Sequence, residues 1–271
     1  MTLTTDWGER DFFVAMVKGK LCSLIPDVRI FDLSHEQKSN DMASVSGIVR
    51  HGCFAFPEGA VHIVDVGCDQ WGLDGQRQRG VAIPMLALCR GHYFICSDRK
   101  VLEQSLDSPC EALVELPLPE HAVSYTFLAG TLFCDVAAAL AAGRPVSELG
   151  VPCQPLRRRG VFRAQSDSDT LEALVVSIDS YGNANLNVTY DEFETVRAGR
   201  RFRVELEWRI GSGERYEAIT SISSHYSDVR LGDLLLTVSI TGALQLAINK
   251  GSVAQLIGLR CSSRCRFIFA R

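Results

Sequence analysis

The chain lacks any long apolar stretch. No run of 18 or more such residues occurs, so no segment reads as a membrane-spanning helix. It also opens without a basic leader ahead of an apolar run, which makes a soluble, cytoplasmic protein the expectation. An excess of positive charge is missing too. With 28 Lys+Arg against 32 Asp+Glu the formal net charge is -4, which argues against a globally basic nucleic-acid binder. Several chemical signatures are absent: no GxGxxG follows the first apolar segment, and no GxxxxGK(S/T) phosphate loop, GxSxG elbow or HExxH pair occurs. The common dinucleotide, phosphate-loop, serine-hydrolase and zinc-protease readings lose here. No repeat at solenoid periods is visible.

What is present supports a well-packed protein. The 271 residues are 46% apolar and 22% charged, enough for one large domain or two smaller ones with real cores. The ten cysteines sit mostly in apolar contexts such as LALCRG and YFICSD, where a thiol acts as a small hydrophobe. Only Cys261 and Cys265 lie close together, without a second pair or a nearby histidine to complete a zinc site. Reduced, mostly buried thiols and no metal are therefore expected.

Periodicity divides the chain. Over residues 1–155, strand-like segments (TLTT, VRIFDLS, VHIVDV) alternate with helix-like ones (FFVAMVKGKLCSLI, NDMASVSGIVRHGCFAF, LFCDVAAALAAG). VAIPMLALCRGHYFICSD reads as two strands joined at Arg90-Gly91. This pattern predicts a three-layer α/β domain with a largely parallel sheet. The stretch VPCQPLRRRGVFRAQSDSDT is a boundary by its prolines, arginines and small polar residues. Over 165–271 the period is mostly two, in LEALVVSID, RFRVELEWRI, RYEAITSIS, DLLLTVSI and CRFIFA. That predicts a mainly-β domain, a small barrel, with a short helix at 251–258.

Candidate chemistry gathers where α/β folds place their sites, in loops after strands. Asp6 follows the first strand and is either a turn-former or an acceptor for a ribose diol. Asp11 either caps the next helix or binds ligand. Asp65 ends VHIVDV, with Asp69, Asp74, Arg77 and Arg79 in the loop beyond. An acid held by a nearby arginine can orient a water if it stays charged. Asp98 ends YFICSD. Trp7, Trp71, Tyr93 and Tyr226 are candidates to stack on a flat ring or to serve as core. In IDSYGNANLNV, Asp179, Gly182, Asn183 and Asn187 crowd polar groups together. They form either a β-turn or a recognition edge for a purine or an amino acid.

These strings resemble a known family, the S-adenosylmethionine hydroxide adenosyltransferases (SAM hydrolases), relatives of the SAM-dependent fluorinase and chlorinase. TTDWGERDFFVAMVKGKL resembles the family's opening TDFGxxDxYVGxMKG, and FDLSHE its DITHE. FPEGAVHIVDVG is similar to FPxGTVHxxVVDPGVG, HYFICSD to the element ending PDNG, and IDSYGNANLNV to IDxFGNxxTNI. The tail from Tyr226 through VSITGALQLAINKGSVAQLIGL continues the likeness.

The resemblance implies an α/β domain followed by a β-barrel, and homotrimers whose sites lie between subunits. It implies hydrolysis of S-adenosyl-L-methionine to adenosine and L-methionine, with a small-molecule adenosyl substrate and no cofactor. Asp6 would hold the ribose hydroxyls, Asp11 and Asp179 the methionine end, Asn183 the adenine side, and Tyr226 an aromatic wall. Asp65 and Arg77, or Arg79 in its place, would belong to the family's Asp-Arg-His arrangement around the attacking water. The likeness breaks at FLAGTLF, where the family reads FHGRDxF, placing Leu128, Gly130 and Thr131 at its histidine, arginine and aspartate. SDRK puts Arg99 and Lys100 in place of Asn and Gly, and SITG puts Ile240 where a hydroxyl is usual. A non-catalytic adenosyl-ligand binding or regulatory protein is the alternative expectation.

Overall fold

The computed structural model describes residues 1–37, 42–67, 83–106, 108–118, 127–157, 164–206 and 219–270. Two compact units divide the chain, Met1–Arg159 and Gly160–Arg271.

The first unit contains β1 (Thr2–Thr5), α1 (Phe13–Leu24), β2 (Phe31–Ser34), α2 (Met42–Gly47), β3 (Val61–Asp65), β4 (Met85–Cys89), β5 (His92–Cys96), α3 (Arg99–Ser105), β6 (Ala112–Glu115), α4 (Leu132–Ala141) and β7 (Val151–Pro152). Its sheet runs β2-β1-β3-β5-β4-β6-β7. The β2-β1-β3-β5 half is parallel, and the hairpin of β4 with β5 turns the remainder antiparallel. Arg90 and Gly91 both take positive φ (55° and 74°), as a two-residue hairpin needs.

β3 is buried along its whole length, as suits a central strand covered on both faces. Leu3, Ile63, Leu86 and Ile95 pack on one side with Val17, Leu21 and Phe133 of α1 and α4. Val64, Met85, Phe94 and Cys96 pack on the other with Val45, Val101 and Leu102 of α2 and α3. The unit is thus a three-layer α/β fold. The long helix expected over 40–56 begins as α2, then widens at Ile48–Gly52 and tightens at Cys53–Ala55. Gly47 and Gly52 weaken its interior, which explains why regular α geometry does not persist.

One expectation is overturned. Cys89 and Cys110 form a disulfide, so the thiols are not all reduced. The end of β4 lies beside the segment entering β6, where the Glu111 N–H donates to the Leu88 carbonyl at 2.8 Å.

A buried polar chain crosses the same sheet. The Thr2 hydroxyl lies 2.7 Å from Nδ1 of His62, whose Nε2 lies 3.1 Å from Nδ1 of His92. Burial, with His92 and the chain's amino terminus nearby, pushes His62 down to about 3. Protonation at 6.5 is then available only to the unfolded chain, so stability from this group is full above pH 6.5 and drains away as pH falls toward about 3. Relative to a His62→Asn variant, the wild type is expected to lose about 2 kcal/mol between pH 6.5 and pH 5. Urea unfolding of both proteins across that range checks this; a constant difference would refute it.

The second unit contains β8 (Gln165–Ser166), β9 (Thr170–Ile178), β10 (Ala184–Thr189), α5 (Tyr190–Arg197), β11 (Phe202–Leu206), β12 (Ile222–Ser223), β13 (Leu234–Val238), β14 (Ala243–Ile248), α6 (Val253–Ile257) and β15 (Arg264–Phe269). The order β11-β15-β9-β10-β14-β13-β12 makes a curled, half-barrel sheet, with β8 added beside β9. Among the described residues β11 and β12 are not paired as strands, but the Val204 N–H of β11 donates to the Ile219 carbonyl, just ahead of β12, at 3.0 Å. Alternate residues (Leu171, Ala173, Val175; Leu186, Val188; Leu244, Leu246) fill the core with Phe193 and Phe267.

Candidate functional site

In the first unit the parallel register sets Thr5 opposite Asp65. The carboxyl ends of β1, β3 and β5 therefore converge, and the residues that leave them (Asp6 and Trp7, Val66 and Gly67, Ser97 and Asp98) meet at one edge. Asp65 is 4% exposed. Its Oδ2 accepts a hydrogen bond from Trp7 Nε1 at 3.1 Å. Its Oδ1 and the Ser97 hydroxyl are both enclosed without a well-formed hydrogen bond among the described residues. Burial pushes the Asp65 carboxyl up to about 6 and the Asp6 carboxylate adds to the rise, while Ser97 and Trp7 pull it back. Asp65 is thus an acid that ionises just below neutrality, with Oδ2 fixed by Trp7 and Oδ1 enclosed without a well-formed hydrogen bond.

The neighbouring acids have distinct places. Asp6 Oδ2 accepts from the Gly67 N–H at 2.9 Å, tying the loop after β1 to the end of β3. Asp11 is exposed and accepts from the Phe13 N–H at 3.1 Å in a local turn just ahead of α1, whose N-cap residue, Phe12, makes no side-chain capping bond. Asp98 caps α3 by accepting from the Lys100 N–H at 2.8 Å. Arg99 is engaged elsewhere. It donates to Glu103 at 2.9 Å and to the carbonyls of Gln154 and Pro155. Leu128 is 1% exposed in the apolar core, on a short turn that leads into α4. Arg77 and Arg79, with Asp69, Asp74, Trp71 and His121, lie outside the described residues.

In the second unit Asp179 closes a tight turn. Its Oδ1 accepts from the N–H groups of Tyr181 and Asn183, each at 2.9 Å, and its Oδ2 from Asn183 Nδ2 at 2.9 Å. Asn183 is buried, whereas Tyr181 on the same turn is 79% exposed. Gln245 joins the parts. Its Nε2 donates to Asn185 Oδ1 at 3.0 Å and reaches Asp179 Oδ2 at 3.5 Å, while its Oε1 accepts from the Tyr226 hydroxyl at 3.0 Å. Cross-strand register aligns Ser177, Asn185, Gln245 and Thr237 in one row over four strands, opposite the apolar face.

Sequence reasoning selected Asp179, Asn183 and Tyr226 but missed Gln245. Its signal was a single polar residue inside the apolar strand ALQLAI. Replacing Gln245 by leucine leaves polar partners stranded and is expected to cost about 2 kcal/mol. Chemical denaturation measures this, and a change under about 0.5 kcal/mol would contradict it. Ile240, at the tip joining β13 to β14, is fully exposed. A cavity of about 500 Å³ beside α5, lined by Arg197, Thr220, Ser223 and Thr237, includes none of the selected residues.

No group of three or more His, Cys, Asp or Glu side chains is placed to hold a metal among the described residues. Nor is any helix there long and apolar enough to cross a membrane.

Comparison with known proteins addresses both units. The SAM hydroxide adenosyltransferase N-terminal domain profile matches residues 1–150, and the corresponding C-terminal domain profile matches residues 173–266. A relative from Salinispora tropica named (R)-S-adenosyl-L-methionine hydrolase is 29% identical over 280 residues, covering 98% of this chain and 96% of its own. One of the same name from Thermus thermophilus is 28% identical over 271 residues, covering 94% of each. Among solved structures, an uncharacterized conserved protein from Thermotoga maritima superposes with a TM-score of 0.79 at 20% identity, covering 98% of this chain and 99% of that one. A conserved hypothetical protein from Thermus thermophilus gives 0.69 at 21%, covering 98% of each, and both likenesses concern the fold.

Proposed function

Because the chain belongs to the SAM hydroxide adenosyltransferase family, we propose that it hydrolyses S-adenosyl-L-methionine to adenosine and L-methionine by attack of water on the ribose 5′ carbon. The observation that carries this reading is Asp65, buried at a strand end with Oδ2 held by Trp7 and Oδ1 without a well-formed hydrogen bond. A carboxylate ionising near 6 is charged at neutral pH yet basic enough to take a proton from water. As the water oxygen bonds to C5′, the C–S bond breaks and its electron pair returns to sulfur. This turns the cationic sulfonium into neutral methionine thioether. The water proton passes to Asp65 and on to solvent. The leaving group needs no proton, so one base suffices, aided by in-line positioning.

The other roles follow the family resemblance. Arg77, or Arg79 in its place, would pair with Asp65, Asp6 would take the ribose hydroxyls, Asp11 would hold the methionine end, and Asp98 would contact the substrate. Asp179, Asn183 and Tyr226 would recognise the methionine and adenine ends. Two half-sites on separate units fit a homotrimer that completes each site with a neighbour's second unit. The expected setting is the cytoplasm; the Cys89–Cys110 bond is the observation against a strongly reducing one.

Leu128 favours the alternative, a non-catalytic adenosyl-ligand binder. Under the resemblance it stands where the histidine belongs, and it is packed into apolar core. Time-resolved chromatography of S-adenosylmethionine with the purified protein separates the readings. Hydrolysis gives adenosine and methionine in equal amounts above the spontaneous rate. Saturable binding without release would transfer the conclusion to the binder.

A further inference from the structure

Among the described residues, the indole N–H of Trp7 is the donor with good geometry on Asp65, and the packing around it fixes its aim. The Trp7 ring stacks on His35 (centroids 6.3 Å apart, planes 21° apart) and meets Phe127 edge-on at 4.9 Å. Phe127 is backed by Phe13 at 4.8 Å. His35 Nδ1 lies 2.7 Å from the Thr5 hydroxyl, and its Nε2 lies 3.0 Å from Asp32 Oδ1 as an ion-pair contact without well-formed hydrogen-bond geometry. Asp32 in turn pairs with Lys18 at 2.5 Å. The Gly8 N–H donates to the His35 carbonyl at 2.7 Å, so the backbone just after the indole is pinned to the same residue.

Building on the proposed hydrolysis, we infer that Trp7 is a positioning residue: it occupies Oδ2 of Asp65 and thereby presents Oδ1 to the water that attacks the ribose 5′ carbon. A donor on one oxygen stops the carboxylate from rotating and favours its ionised form over its neutral one. That help matters because burial and the Asp6 carboxylate oppose ionisation. Asp6 faces it from the loop after β1, the Cys96 thiol at the end of β5 is held neutral by its burial, and the Ser97 hydroxyl favours the ionised form alongside Trp7. His35, Asp32 and Lys18 stand beyond the indole.

Trp7→Phe keeps an aromatic ring between His35 and Phe127 and removes only the N–H. In this variant the acid limb of kcat/KM for S-adenosylmethionine is expected to move up by about half a pH unit or more. At pH 7, kcat should fall several-fold, roughly three to ten, while KM stays within about twofold. A purely structural tryptophan would change the thermal midpoint or KM and leave the acid limb in place.

A second readout needs no turnover. The indole ¹⁵N–H resonance of Trp7, identified by its loss in Trp7→Phe, should titrate with a midpoint near 6 in the wild type and stay flat in Asp65→Asn. An active Trp7→Phe enzyme with an unshifted acid limb would overturn the inference. So would an indole signal that ignores pH or titrates equally in Asp65→Asn. A wild type that releases no adenosine defeats the hydrolysis reading and the catalytic half of this inference with it. The resonance titration then still decides whether Trp7 and Asp65 are coupled.

Discussion

Asp65→Asn is expected to lower turnover of S-adenosylmethionine by about 10²- to 10³-fold, the range typical for loss of a general base, and to make the protein more stable at the same time. The substitution is nearly isosteric, and the new side chain's oxygen can still accept from Trp7 Nε1. What disappears is the ability to take the water proton. The stability gain follows from linkage. The folded-state carboxyl is raised to about 6 from 3.8, so the native state binds the proton more tightly than the unfolded chain does. Stability from this group is therefore present below pH 3.8 and lost as pH rises through about 6. At pH 7 the buried, ionised wild-type residue holds the fold back by up to about 3 kcal/mol, and the asparagine escapes that penalty. Paired assays of turnover and urea unfolding at pH 7 check both halves. A variant that is inactive and destabilised would have lost activity through damage to the fold, and the base role would lose its support. In the wild type, activity should fall close to tenfold per unit below pH 6.

Local signals carried much of the fold. The hairpin at Arg90-Gly91, the stop of α4 before Gly143 and the strand beginning at Thr2 each depend on a few adjacent residues, and each lies where alternation and turn chemistry place it. Elements with short or blended signals were less legible. α5 carries a Thr189–Glu192 capping box, but it buries fully only Phe193 and so shows no apolar stripe. In α3 the cap Asp98 reads as a strand-end acid, because seven helical residues give periodicity little room.

Partnerships set by register were not legible at all. Trp7 meets Asp65 because β1 pairs parallel with β3, Gln245 meets Asn185 because β10 pairs with β14, and Cys89 meets Cys110 because β4 lies beside β6. Sequence order gives no register between distant strands. The candidate acids could therefore be named in advance, while the partners that set their behaviour could not. Asp11 and Asp98 show the cost of that gap: Asp11 carries a local turn bond and Asp98 a capping bond, neither of which a motif comparison can separate from ligand binding.

The second unit is expected to lose about 4 kcal/mol or more when Gly182 becomes alanine. Gly182 sits at φ +82°, a conformation that costs a non-glycine residue on the order of 1–3 kcal/mol by itself. Space adds to the strain. An added Cβ would lie 1.9 Å from Ser252 Oγ, 2.6 Å from its Cβ and 3.1 Å from its Cα. Rotating the hydroxyl away does not solve the problem, because the rest of Ser252, side-chain carbon and backbone alike, still stands in the way. Rotation would also break the bond that Ser252 Oγ accepts from the Gln255 N–H at 3.1 Å, the cap of α6. The Gly182 carbonyl accepts from the Ala254 N–H at 3.0 Å, so the turn and the helix are joined from both sides. Moving either one pulls on Asp179, whose Oδ1 gathers the N–H groups of Tyr181 and Asn183. The proposed recognition edge would deform with the fold. Combining Gly182→Ala with Ser252→Gly removes the side-chain clash, leaves the backbone strain and gives up the cap, so only part of the loss should return. Calorimetric unfolding of the three proteins tests this. A single variant within about 1 kcal/mol of wild type would show that the turn yields, and that the packing of α6 does not hold Asp179 and Asn183 in place.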